Sequence, residues 1–309
     1  MRFPIEKHHF LGFFPPYRTV EVLDRPGQVP VGPLPNRGAV LIWNMATGDR
    51  TRGSHAIKNR PPGVALFVIL PPTSRWDTTG ALLSIMEDCR PHSVLPFMEE
   101  VDTEELVAVL RRFPSEFAVE VTDYLQWRGI DVDLDTRRLL RRVLELSGEL
   151  RTVSGLSRAL YMSRRALGRR FMSRGLPVPS HWLHFGRVLR ASIRMQDPST
   201  NLVAIGRDLG YPDGFALSNQ MKRLTGLRPS IMRECFGWEW IVESWLYREA
   251  VAGSLSPTLR NTLFRSPEQD FASSQAAVSG SAVPLAGRVL RIAEDPPRGI
   301  RTNGKPREP

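Results

Sequence analysis

Arg165 and Arg169 stand four residues apart in MSRRALGRRFMSR, and so do Leu167 and Phe171. On a helix, residues at i and i+4 share a face, and a shift of two positions turns about 200° around the axis. If Leu167 and Phe171 turn inward, both arginines face out. Their N–H pairs match O6 and N7 of guanine, a contact that discriminates between bases by about 1–3 kcal/mol. The segment GFALSNQMKRL offers the same arrangement, with Leu217 and Met221 inward and Phe215 and Asn219 outward. An Asn amide pairs with adenine, and an apolar side chain meets the thymine methyl. Arg170, Ser218, Lys222 and Arg223 are placed for phosphate oxygens, which position a protein without reading sequence.

These helices belong to a longer repeat. Leu156, Leu160 and Met162 recur 49 positions later as Ile205, Leu209 and Tyr211, and Leu167 and Phe171 recur 50 positions later as Leu217 and Met221. Each copy reads as a helix, a short turn and a second helix, the supersecondary unit that places one helix in a major groove. In the first copy, 152–160 and 162–174 are the two helices, with Ser163 as the cap of the second. Ser157 and Gly206 occupy matching positions, where small side chains let two helices cross closely. Between the copies, residues 180–196 carry Trp182, Phe185, Leu189 and Ile193 as one apolar stripe. A continuous helix there fixes the distance between the copies, which must be about 34 Å for successive major grooves. The copies are unequal, so the second is expected to contribute less specificity.

Charge is concentrated on the same region. Residues 151–233 hold 15 Arg and Lys against three acids, Asp197, Asp208 and Asp213, a net +12. The whole chain is +10, so the remainder is slightly acidic. A local positive excess attracts a polyanion and drives counterion release.

With these residues assembled, 135–233 resembles the DNA-binding domain of the AraC/XylS family of transcription regulators. The matching features are Ser163, Leu167, Arg169 and Phe171, then Trp182, Arg187 and Ala191 between the copies. Ile205, Leu209-Gly210-Tyr211, Asp213, Ser218 and Lys222 follow, and Gly226, Pro229 and Arg233 close the segment. The departures are Leu217, Asn219 and Met221 in the second recognition helix, Gly206 where Ala is usual, and Gly175 one residue early. The resemblance implies an all-α double helix-turn-helix domain, double-stranded DNA as partner, RNA polymerase as a further partner, and a homodimer. The alternative is a protein-interaction or structural module that binds DNA only non-specifically.

The rest of the chain is read from pattern. Residues 1–36, rich in Pro and aromatics, form an N-terminal arm. Residues 37–130 form a small α/β domain. GAVLIWNM (38–45), GVALFVIL (63–70) and SVLPFM (93–98) are strands, 46–62 a basic loop, and 78–89, 102–113 and 115–127 helices. The alternation suggests a parallel sheet. It resembles a receiver domain, but neither of its first two strands ends on the phosphoacceptor Asp, so such a fold would be degenerate. Residues 131–250 form the double helix-turn-helix domain with a helix at 238–247, whose Trp238, Ile241, Val242, Trp245 and Leu246 make one apolar face. Residues 251–309, dominated by Ser, Ala, Pro and Arg, are expected to be a disordered tail.

Several function classes lack support. Cys89 and Cys235 are too far apart for a zinc site and give no disulfide framework, which favours a cytoplasmic compartment. His181 and His184 lie i, i+3 without a third ligand, so no metal is assigned. No signal peptide, membrane span, nucleophile–base pair or phosphate loop is evident. Neither a cofactor nor catalysis is expected, and no membrane partner.

Overall fold

Phe10, Leu11, Gly12 and Phe13 are all buried, so the sequence there shows no alternation. The segment is nevertheless an inner strand of a sheet. The computed structural model describes residues 1–29, 37–48, 50–72 and 79–264. In chain order the first strands are β1 (Arg2–Pro4), β2 (Phe10–Phe13), β3 (Val20–Leu23) and β4 (Val40–Asn44). Helix α1 (Arg50–Lys58) follows, then β5 (Ala65–Ile69), α2 (Thr79–Cys89), β6 (Ser93–Leu95) and β7 (Glu100–Asp102). The main sheet has the order β3-β2-β4-β5-β6. Strands β4, β5 and β6 are parallel, with Ile42 beside Phe67 and Val68 beside Val94. Strand β2 runs antiparallel to both β3 and β4. Strand β1 pairs with β7 in a separate ribbon.

Two expectations change here. The N-terminal arm is not an arm, because residues 2–23 supply three strands and bury Ile5, Leu11 and Phe13. The α/β class holds, but the sheet is mixed and replaces the all-parallel sheet of a receiver. The loop expected at 46–62 also contains α1. That helix is polar in sequence and contributes Ile57 to the core.

Strand alternation divides the sheet into two faces. Val40, Ile42, Phe67 and Ile69 pack against Leu106 and Leu110 of α3 (Thr103–Arg111). Leu41, Trp43, Leu66 and Val68 pack on the opposite face against Ile57 of α1 and Leu82 and Cys89 of α2. Asp102 caps α3 by accepting from the Glu104 N–H at 3.1 Å. Cys89 and Cys235 are free thiols, both buried.

The remaining helices are α4 (Phe117–Trp127), α5 (Leu134–Leu146), α6 (Val153–Ala159), α7 (Arg164–Met172) and α8 (Pro179–Met195). They continue as α9 (Leu202–Asp208), α10 (Gly214–Thr225), α11 (Pro229–Glu234), α12 (Glu239–Val251) and α13 (Pro257–Leu263). One core runs through them all. Phe117, Val121 and Leu125 of α4 join it, so α4 packs with the helical region rather than with the sheet. Helix α12 has no solvent face over most of its length. Trp240 and Glu243 are as buried as Trp245 and Leu246, where the sequence pattern suggests a single apolar face. Glu243 is tolerated because it accepts from the Tyr124 hydroxyl at 2.9 Å and from Arg128 Nε at 2.6 Å.

The expected tail begins later than residue 251. Ser256 caps α13, its N–H donates to the Gly175 carbonyl at 2.9 Å, and Leu263 is buried. Arg128 Nη2 also donates to the Leu263 carbonyl at 3.1 Å. The part of the expected tail at 265–309 lies outside the described residues.

Candidate nucleic-acid interface

Helix α7 is started by Ser163, whose hydroxyl oxygen accepts from the Ala166 N–H at 3.1 Å. Helix α10 is started by Asp213, which accepts from the Ala216 N–H at 2.7 Å. Each is preceded by a shorter helix capped in the same way. Thr152 accepts from Gly155 N–H at 3.1 Å in α6, and Asn201 from Ala204 N–H at 2.7 Å in α9. The turns match as well. Tyr161 and Gly210 both have positive φ, 52° and 75°. The N–H that follows reaches back over the helix end, from Met162 to Ser157 O at 2.9 Å and from Tyr211 to Gly206 O at 2.8 Å. That reverse bond satisfies a free carbonyl at the helix C-terminus and aims the next helix. A Cβ on Gly206 would meet the Asp213 carbonyl oxygen at 3.3 Å, so a small residue is needed at this crossing.

Burial then sorts each second helix into two sides. Leu167, Phe171, Leu217 and Met221 are completely buried. Arg165 and Arg169 are exposed on α7, together with Arg164, which the sequence reading did not single out. On α10, Asn219, Lys222 and Arg223 are exposed, Ser218 is half-buried, and Phe215 is 74% exposed. Core packing is therefore not the role of Phe215. Arg223 Nη2 donates to the Gln220 side chain at 2.8 Å and leaves the rest of its guanidinium open.

Arg170 departs from the phosphate role expected of it. Its Nε donates to the Thr136 hydroxyl at 2.9 Å and its Nη2 to Asp133 Oδ1 at 2.7 Å. Arg174 adds a second arginine contact to Asp133 at 2.8 Å. Hydrogen bonds from Thr136, reinforced by both arginines, hold the Asp133 carboxyl at about 2. Arg170 thus clamps α7 to the N-terminus of α5. No local pattern marks this pairing, because Asp133 is 37 residues away.

Helix α8 carries both pairs. Trp182, Phe185, Leu189 and Ile193 are buried. Phe185 stacks on Trp245 of α12 with centroids 4.0 Å apart. Toward α5, Arg190 donates to the Ser147 hydroxyl at 3.2 Å and to the Leu144 carbonyl at 3.1 Å. Toward α9, Arg187 donates to the Leu209 carbonyl at 2.6 Å. Gln196 Nε2 reaches the carbonyls of Cys235 and Gly237, each at 3.1 Å.

A family model described as a helix-turn-helix domain matches residues 156–234, which run from within α6 to the end of α11. Residues 156–234 form an AraC-type helix-turn-helix domain. The AraC-type domain makes the chain a DNA-binding protein of the transcription-regulator class. Among curated proteins and solved structures, nothing compared with the chain matches it. No helix among the described residues is long and apolar enough to cross a membrane, and those residues hold no cluster of three metal-ligating side chains.

Proposed function

We propose that the chain is a sequence-specific transcription regulator that reads duplex DNA with both helix pairs, α7 and α10 entering successive major grooves. The observation that carries this reading is the matched pair of exposed strips, Arg165/Arg169 and Phe215/Asn219, each opposite a fully buried apolar pair and behind the same turn. In this reading Arg165 and Arg169 bond guanine edges, Asn219 adenine, and Phe215 a thymine methyl. Ser218, Lys222 and Arg223 hold phosphates, and Arg170 serves by fixing the angle of α7. The first pair is the stronger reading head, because two arginines offer more base-specific hydrogen bonds than Phe215 and Asn219. The α/β region senses a signal, contacts RNA polymerase or brings two copies together.

The test is selection from a random duplex library with the full-length protein at fixed salt. An enriched motif with two half-sites one helical turn apart supports the reading. Equal retention of all sequences would leave a module that binds DNA only non-specifically, since salt-dependent affinity alone is shared by both.

A further inference from the structure

Arg151 is exposed immediately before Thr152, the residue that caps α6. By chain it belongs to the first helix pair, yet its guanidinium lies over Gly210 in the turn of the second. A Cβ on Gly210 would displace that guanidinium, so the glycine leaves it room as well as supplying the positive φ. The repeat holds no counterpart. The residue 49 positions on from Arg151 is Thr200, whose hydroxyl donates to the Arg194 carbonyl at 2.7 Å. The matching turn carries the Tyr161 side chain where Gly210 has none.

Arg151 has no acid and no hydrogen-bond acceptor among the described residues. The acids around it are engaged elsewhere. Asp208 pairs with Arg194 at 2.6 Å, and Asp213 caps α10. The charge of Glu149, two residues before Arg151, acts on Arg190. The charged neighbour of Arg151 is another cation, Arg187. Burial lowers the Arg187 pKa, and the Arg151 charge lowers it further. Arg187 is already held by the Leu209 carbonyl at 2.6 Å. A cation left open beside a second cation is unfavourable until an anion joins them.

We propose that Arg151 holds a DNA phosphate between the two reading heads. This rests on the reading of α7 and α10 as the helices that enter successive major grooves. Two such helices leave the backbone between the grooves facing the residues that join them. The first helix of a helix-turn-helix also crosses that backbone. Arg151 stands at the start of α6, such a first helix, and against the turn that aims α10. A phosphate held there fixes the register of both pairs on the duplex without reading a base.

The full-length parent, Arg151→Gln and Arg151→Lys, each checked for an unchanged melting profile, are titrated at several salt concentrations. The probes are a random-sequence duplex and the motif selected above. Arg151→Gln is expected to weaken binding of both about tenfold, as loss of a charge-assisted bond should, and to flatten the log–log salt slope by about one unit. Arg151→Lys should keep the parent slope. The position is read with motif duplexes neutralised by methylphosphonate at one phosphate at a time. Neutralising a phosphate between the half-sites should cost the parent about tenfold and cost Arg151→Gln nothing further. An unchanged slope in Arg151→Gln, or an equal loss in parent and variant on central neutralisation, overturns the proposal. So does the absence of a sensitive phosphate between the half-sites in the parent, whether or not the variant folds. Failure of the two-groove reading looks different: no motif is enriched, while the slope on the random duplex still reports the charge of Arg151.

Discussion

The Arg187 guanidinium lies 4.3 Å above the Tyr211 ring while its Nη2 donates to the carbonyl of Leu209 at 2.6 Å. Arg187 comes from the middle of α8, and Leu209 is the C-cap of α9, the helix that precedes the second turn. One side chain therefore ties the shared helix to the end of α9 just where α10 is aimed. Burial lowers the pKa of this guanidinium, and it stays charged because no protein pH approaches an Arg pKa. A planar fork can bond and stack at once, and a Lys ammonium cannot.

Arg187→Met is accordingly expected to leave the Leu209 carbonyl unpaired and to cost about 1.5–3 kcal/mol of stability. Arg187→Lys should recover less than half of that loss. Urea denaturation of the three proteins checks the order. Equal stability of the Lys variant and the parent would show that the stacking geometry does not matter.

Much of this architecture is legible in the sequence for local reasons. Ser163, Thr152 and Asp102 announce helix starts because a cap bonds only two or three residues ahead. The parallel strands β4 and β5 are visible because each lies in a continuous apolar run that is short and sharply bounded. What stays hidden is decided by distant partners. Phe10–Phe13 becomes an inner strand only because β3 and β4 flank it on both sides. Arg170 looks like its neighbour Arg169 until Asp133 is brought to it, and Glu243 looks like a solvent residue until Tyr124 and Arg128 surround it. Helix α1 is hidden by its polarity, with Ile57 and the small Ala56 as the apolar residues that pack on the core among its described side chains.

Arg169 and Arg223 separate the two kinds of DNA contact. Arg169→Ala should relax base preference in one half-site, by about 1–3 kcal/mol of lost discrimination. Arg223→Ala should weaken binding evenly across sequences and flatten the log–log salt slope by about one unit. Binding titrations on the selected motif and its point variants, at several salt concentrations, measure both. The same uniform loss for each variant would refute the assignment of roles.

The Asp133 clamp makes an acid-side prediction. Its carboxyl sits at about 2 in the folded chain, below the ordinary Asp value near 3.9. A depressed carboxyl contributes stability that is full above the ordinary value and is lost as pH falls through the folded one. The stability difference between the parent and Asp133→Asn should therefore be constant above about pH 5 and shrink between about pH 4 and pH 2. Chemical denaturation at stepped pH reads this window. A difference that stays constant down to pH 2 would remove the ionised clamp.

The buried His92–Glu239 pair acts in the opposite direction. Burial alone would lower the His92 pKa, but the Glu239 carboxylate overrides it and the net shift is upward. A raised His contributes stability that is fully present below its ordinary value of about 6.5 and is lost as pH rises through the folded value. Replacing His92 with Gln leaves the Glu239 carboxylate buried without its cation, for which a cost of about 3–5 kcal/mol is usual. The penalty should be largest below pH 6 and decline on the alkaline side. Stability that is independent of pH between 5 and 9 in the parent would contradict a charged pair.

The two turns make a paired prediction, because the same backbone conformation is filled by different residues. Gly210 adopts its φ of 75° without a side-chain penalty, whereas Tyr161 adopts 52° with a Cβ. The left-handed region costs an L-residue about 1–2 kcal/mol. Tyr161 is 98% exposed, so its ring returns almost nothing in packing. Tyr161→Gly should therefore stabilise the fold by about 0.5–1 kcal/mol, the strain relieved less the extra freedom of the unfolded chain. Gly210→Ala should destabilise it by about 1 kcal/mol, the left-handed penalty of the new Cβ, while the Arg151 guanidinium beside it is the end of a flexible side chain and can swing aside. Thermal melts of both variants, 49 positions apart on matching turns, should shift in opposite directions. Destabilisation by Tyr161→Gly would show that the exposed ring is held by contacts that its exposure does not suggest.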